Sequence, residues 1–254
     1  MKKSIFLLFS CWLFQSLQAQ KTITQKTDQV LTVYKAYNKF NGSALVAWKG
    51  KVVLKKGYGF KNVKDGSRID PKTIFQIGSV SKEFTATMIL KLITQKRLAL
   101  TDKLSKYYTD FPGGDSITIK NLLTHTSGIF NYTEINDFWG HAAKPVNEQS
   151  VLDTLKKRGL LFPPGEKFSY SNSNYMLLAY IIQKVLHSPY EKVMRDSIFT
   201  PLGMSRSGFD FTGLKDPDKA TGYWHLANAR IEEGPSGDSS EYIGSGEIYS
   251  TVED

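Results

Sequence analysis

The order in which hydrophobic periods follow one another along this chain limits its fold more than any other feature. Residues 20–40 are polar, with apolar positions at Val30, Leu31, Val33, Tyr34 and Tyr37, which suits a first helix laid on a sheet. Residues 43–48 and 51–54 then read as two strands joined by a tight Lys49-Gly50 turn. Helical spacing takes over at Ser81, where Phe84, Met88 and Leu92 recur to about Arg97 with Ile89 and Ile93 slightly off the line. Further helices are expected at 117–123, at 149–158 with Gly159 ending it, at the strongly apolar 174–186, and at 189–198. Strand pairs at the start and helices in the middle imply an α+β layout, an antiparallel sheet with helices segregated against it. At 254 residues, 41% apolar and 22% charged, the chain can bury a sizeable core and is neither disordered nor fibrous in composition.

The first residues read as a secretory leader rather than as part of the fold. Lys2 and Lys3 precede an apolar run over 5–14 broken only by Ser10, and small and polar residues return by Ala19. The run is about half of the ~20 residues that a membrane helix needs. Residues 1–19 are therefore expected to be a signal peptide and 20–254 the mature domain, secreted or periplasmic, with no integral membrane span. The single cysteine, Cys11, falls inside the leader. Phe9 is bulky for a lipid-attachment pattern, which disfavours an anchored form. No disulfide within the chain and no His/Cys zinc cage can be built, and no metal or cofactor is expected. Removing Lys2 and Lys3 takes the net charge from +9 to +7. The excess comes from lysines spread along the chain, so a solvated basic surface is expected rather than a nucleic-acid stripe.

One Ser-x-x-Lys occurs, Ser79-Val80-Ser81-Lys82, after Phe75-Gln76-Ile77-Gly78. A Gly-led turn would deliver Ser79 to the start of the Ser81 helix, with Lys82 three residues on and on the same face. A helix start offers unpaired N–H groups and a positive dipole end, both useful to an oxyanion. A serine hydroxyl attacks carbonyls only when a base takes its proton, and a desolvated lysine can be that base. The plain alternative is Ser79 as a helix cap beside an exposed Lys82.

A second cluster follows the Pro163-Pro164-Gly165 turn, in Phe168-Ser169-Tyr170-Ser171-Asn172. Tyr170 and Asn172 are two apart, so an extended backbone turns both to one side. A phenol becomes a useful base beside a cation such as Lys82, and an amide can hold a substrate amide while steadying the lysine. Alternatively Ser171 or Ser173 caps a helix while Tyr170 packs in the core.

Together these motifs resemble the serine β-lactamase and penicillin-binding-protein family, most closely its class C β-lactamase and D-alanyl-D-alanine carboxypeptidase/esterase branch. The flanks agree: Gly42-Ser43-Ala44-Leu45-Val46-Ala47, Gly57-Tyr58-Gly59, Leu122-Leu123-Thr124-His125-Thr126-Ser127-Gly128 and Pro201-Leu202-Gly203-Met204. The resemblance implies an all-helical region inserted between strands of an antiparallel sheet. It also implies an acyl-enzyme on Ser79, proton work shared by Lys82 and Tyr170, and substrate contact by Asn172. The substrates implied are β-lactams, D-alanyl or peptidoglycan peptides, or small esters and amides. A non-catalytic or slowly acylating penicillin-binding homologue or sensor remains the alternative.

The family's third motif, a Lys or His followed by a Ser or Thr and a Gly on a late strand, is missing; Lys219-Ala220-Thr221-Gly222 is one residue too long. The last residues, from Gly244 to Asp254, resemble the family segment that opens a helix, with Ser250-x-x-Glu253 as a capping-box pattern. So short a helix cannot nucleate by itself. The chain is therefore expected to be truncated, to lack several strands and the second oxyanion donor, and to be nearly inactive by itself. No Gly-x-Ser-x-Gly elbow, P-loop or dinucleotide fingerprint is present. Glu166, after the Pro-Pro-Gly turn, is expected to be a surface carboxylate.

Overall fold

The computed structural model describes residues 23–135, 145–227, 230–234 and 237–254. The leader expected over 1–19 lies outside them. Among the described residues two compact units emerge, one of 23–74, 216–227, 230–234 and 251–253, the other of 75–135, 145–215, 237–250 and 254.

The first unit begins with a helix over 23–36. The expected hairpin follows, Gly42–Trp48 antiparallel to Lys51–Tyr58, with a register shift between Val46 and Ala47. Lys49 and Gly50 both take positive φ, 49° and 74°, the conformation that lets a two-residue turn match the twist of its strands. Thr24 Oγ1 donates to the Val53 carbonyl at 2.9 Å, and Asp28 accepts from Lys56 Nζ at 2.8 Å and from Tyr58 OH at 2.7 Å. These bonds lay the helix along the hairpin. Two smaller antiparallel pairs belong to the same unit, Phe60–Asn62 with Ser67–Arg68 and Tyr223–Ala227 with Arg230–Glu233. Glu253 accepts from Lys55 at 2.6 Å, and residues 251–254 are not helical.

The second unit is built round the helix Asn172–Leu186, in which every residue from Ser173 to Ile182 is buried. A helix apolar on all sides must sit inside a bundle. The helix Ser81–Thr94 buries Ser81, Lys82, Thr85, Met88, Ile89 and Leu92. It stops short of Arg97 because Lys96 turns left-handed, φ 58°, and Arg97 N–H bonds back to the Leu92 carbonyl at 2.9 Å. Thr118 and Asn121 form a capping box on Ile119–Leu123, and Asn147 caps Glu148–Arg158, which Gly159 ends at φ 64°. The helix expected over 189–198 holds only from Tyr190 to Met194 and then widens into a π-turn, Arg195–Phe199. A short pair, Phe75–Gln76 with Tyr249–Ser250, completes the unit.

The chain is thus α+β: one helix precedes the first strand, and the helices of the second unit fall, in sequence order, between early and late strands. The one sheet expected from the sequence is, among the described residues, four separate two-stranded ladders. No described helix is long and apolar enough to cross a membrane.

Candidate active site

All four residues picked from the sequence lie in the helical unit and converge on one point. Ser79 sits in the 3₁₀ turn Gly78–Val80, just before the Ser81–Thr94 helix. Gly78 opens that turn with φ 53°. Val80 occupies the cap position and no side chain caps the helix, so Ser79 is not spent as a cap. Its Oγ lies 2.8 Å from Tyr170 OH and 3.2 Å from Lys82 Nζ.

Lys82 is buried, 7% exposed, and the exposed-lysine alternative therefore falls. Besides Ser79, its Nζ donates to Asn172 Oδ1 at 2.8 Å and to the Ser245 carbonyl at 2.7 Å. All three partners are neutral. Burial pushes the Lys82 pKa down, while Tyr170 and the buried Glu247 push it back up. As an ammonium the side chain has a proton for each partner. As an amine it can give two protons to the carbonyls, which only accept, and turn its lone pair to Ser79.

Tyr170 is 41% exposed, so it lines an open site rather than packing in the core. Lys82 Nζ lies 4.9 Å from the centre of its ring. Asn172 has its amide orientation set from behind: its backbone N–H donates to Asn131 Oδ1 at 3.0 Å and its Nδ2 to Thr133 Oγ1 at 3.1 Å. The carbonyl oxygen is left facing Lys82. Ser171 and Ser173 do not cap the helix; both hydroxyls donate to the Phe130 carbonyl, at 3.3 and 2.7 Å. Glu166 is exposed, as expected.

Two further residues belong to this neighbourhood, and the sequence reading gave neither a role. His125 is buried and left-handed, φ 56°, with its ring centre 4.5 Å from that of Tyr170 and 5.2 Å from that of Tyr175. Its Nδ1 accepts the Ser171 N–H at 3.2 Å, and its carbonyl accepts the Ser169 N–H at 2.8 Å. Burial, then the charge of Lys82, pushes its pKa down to about 4, so a neutral ring supports the Tyr170 segment. A positive φ on a non-glycine residue marks a backbone that its surroundings hold in place. The second residue is Glu247, buried beneath the loop that offers the Ser245 carbonyl to Lys82. A Gly-Ser-Gly-Glu run has no periodicity to place it, and its partners are backbone groups.

The chain matches the Beta-lactamase family profile over residues 22–254. PbpX of Bacillus subtilis (strain 168), which carries a penicillin-binding-protein name, is 35% identical over 243 residues, 92% of this chain and 60% of that protein. The octameric penicillin-binding protein homologue of Pyrococcus abyssi superposes with a TM-score of 0.77 at 32% identity, over 90% of this chain and 53% of that one. A class C β-lactamase in complex with cefoxitin shares the fold, with a TM-score of 0.76 at 24% identity over 92% of this chain and 63% of its own. The chain therefore spans less than two thirds of the length of each of these proteins.

Proposed function

Given that the chain belongs to the Beta-lactamase family, we propose that it is an exported serine hydrolase that forms an acyl-enzyme on Ser79. The substrates we assign it are β-lactams, D-alanyl peptides or small esters and amides. The observation that carries this reading is the placement of Ser79 Oγ within hydrogen-bond reach of both Tyr170 OH and Lys82 Nζ, at 2.8 and 3.2 Å.

In the first step Ser79 Oγ attacks the substrate carbonyl and its proton passes to the Lys82–Tyr170 pair. The pair shares one proton, so neither residue is the base alone. The Ser79 N–H, at the positive end of the Ser81–Thr94 helix, donates to the oxyanion. Collapse of the tetrahedral adduct breaks the carbonyl–nitrogen or carbonyl–oxygen bond, and the leaving group takes the proton back from the pair. Water then attacks the ester by the same route in reverse, releasing acid and Ser79. Asn172 keeps Lys82 aimed throughout and can offer its amide to the substrate.

The test combines a fluorescent penicillin with a chromogenic cephalosporin on the full-length protein. Covalent labelling that needs Ser79, with turnover of the cephalosporin, is the expected result. Labelling that stops at one equivalent without turnover would favour the penicillin-binding sensor. Absence of any Ser79-dependent labelling by lactams, D-alanyl peptides or activated esters would defeat the reading.

A further inference from the structure

Glu247 takes no part in those proton transfers, yet it lies at the base of the network that holds Lys82. It is 2% exposed. Its carboxyl accepts the Gly244 N–H at 2.9 Å on one oxygen and the Gly246 N–H at 3.2 Å on the other. The loop closed in this way is stitched to the Ser79 segment by its own backbone. The Gly244 carbonyl accepts from Thr85 Oγ1 at 2.7 Å, the Ser245 carbonyl from Lys82 Nζ at 2.7 Å and the Gly246 carbonyl from Gln76 Nε2 at 3.2 Å. Ile248 N–H donates to Ser81 Oγ at 3.1 Å, and its carbonyl accepts the Ile77 N–H at 2.9 Å. Gly244 has φ 70°, and a Cβ there would fall 2.5 Å from the Tyr175 carbonyl oxygen. The loop is thus pressed on the backbone of the Asn172–Leu186 helix.

A buried carboxyl is costly unless its environment repays it with hydrogen bonds or a nearby charge. Here the hydrogen bonds come from the N–H groups of the two glycines on either side of Ser245, and the Gly246 N–H belongs to the same peptide group as the Ser245 carbonyl. We propose that Glu247 is a positioning residue, whose carboxyl clamps the Gly244–Gly246 backbone so that the Ser245 carbonyl holds Lys82 Nζ against Ser79. This inference rests on the acyl-transfer reading of Ser79 and deepens it. The ionisable groups that feel the Glu247 charge come from four neighbouring elements: Lys82, Tyr132, Tyr180 and Tyr190. Lys82 is the cation among them. Burial pushes Glu247 up to about 7, so its ionisation falls in the neutral range and strengthens the ammonium form of Lys82 as it occurs.

The experiment compares wild type with Glu247→Gln and Glu247→Asp in full-length protein carrying ¹³C-labelled lysine, with the Lys82 resonance assigned by its loss in Lys82→Ala. Two quantities are read: the pH at which Lys82 titrates and the rate at which a fluorescent penicillin labels Ser79. Glutamine keeps the volume but loses the charge and one acceptor. Lys82 should then titrate at lower pH and labelling should slow roughly tenfold or more, as a small misplacement of a catalytic group does. Aspartate restores the charge and should move the Lys82 midpoint back towards wild type. An unchanged midpoint and rate in Glu247→Gln would overturn the proposal. If wild-type Ser79 is not labelled while the midpoint still falls in Glu247→Gln, the acyl-transfer reading fails and the positioning role stands. Should Glu247→Gln not fold, Glu247→Asp decides: a side chain one methylene shorter draws its carboxyl back from the Gly244 and Gly246 N–H groups, so labelling should slow although the charge is kept, and a wild-type labelling rate overturns the clamp.

Discussion

Two lysines, one in each unit, show how differently the two halves of this chain use polar groups. Lys56, on the hairpin of the first unit, meets Asp28 at 2.8 Å with both side chains well exposed. Such a pair contributes between nothing and about 1 kcal/mol, because water competes for both partners. Around it the unit buries little: among the described residues Leu54, Tyr58, Ile69, Ile74 and Ala220 are its buried apolar residues, while Val30, Val33 and Tyr34 on the 23–36 helix and Tyr37 just after it stay exposed. Lys82 lies instead beside a hydrophobic cluster that runs from Met88 to Ile248, and it meets three neutral partners while itself only 7% exposed. A dense core next to a desolvated lysine is an arrangement that favours chemistry over stability, since burial makes the proton easier to lose.

The largest effect should appear where the contrast in packing is greatest. Leu178→Ala, at the fully buried centre of the Asn172–Leu186 helix, should lower stability by about 2–5 kcal/mol in urea unfolding. Val33→Ser in the first unit should stay within about 0.5 kcal/mol. Equal losses would erase the difference between the units.

Next come the two residues proposed to handle the proton. Lys82→Ala and Tyr170→Phe should each slow acylation by about 10²-fold or more, the size of a lost general base. The double variant should lose much less than the product, because the pair acts as a unit. Fully multiplicative losses would mean that the two act independently.

A third effect sets His125 against Glu247 within the helical unit. His125 titrates in the folded state at about 4 instead of 6.5, so its contribution is present above pH 6.5 and is lost as pH falls through about 4. Glu247 titrates at about 7 instead of 4.5, so its contribution is present below pH 4.5 and is lost as pH rises through about 7. The two slopes oppose each other across the same window, and each amounts to about 3 kcal/mol. Wild type should therefore be nearly flat between about pH 4.5 and 6.5, while Glu247→Gln should gain about 3 kcal/mol of stability as pH rises. Urea midpoints at the two ends check this, and a flat profile in the variant would contradict it. The surface pair belongs with Val33 at the low end: Lys56→Ala should cost no more than about 1 kcal/mol, and less in high salt.

What could be read from the sequence follows the same contrast. The Asn172–Leu186 helix was legible because it is apolar on every side, and the hairpin because Lys49-Gly50 is turn chemistry between two apolar runs. Ser79 and Lys82 were legible because a helix converts a spacing of three into a shared face. Tyr170 and Asn172 could be tied to them only through resemblance, since nothing local brings together residues about ninety positions apart. Glu247 escaped because its hydrogen-bond partners are backbone groups, which leave no mark in side-chain spacing, and His125 because its ring partners Tyr170 and Tyr175 come from a distant stretch of the chain. The division of the sheet into separate ladders escaped as well: Phe75–Gln76 pairs with Tyr249–Ser250, from the far end of the chain, and no periodicity records that choice.

The central claim is that Ser79 carries the acyl group, and mass spectrometry of the protein after incubation with a β-lactam tests it most directly. The account predicts an adduct of one acyl unit on the peptide containing Ser79, lost in Ser79→Ala. An adduct on Ser81 or elsewhere, or labelling that survives Ser79→Ala, would contradict it.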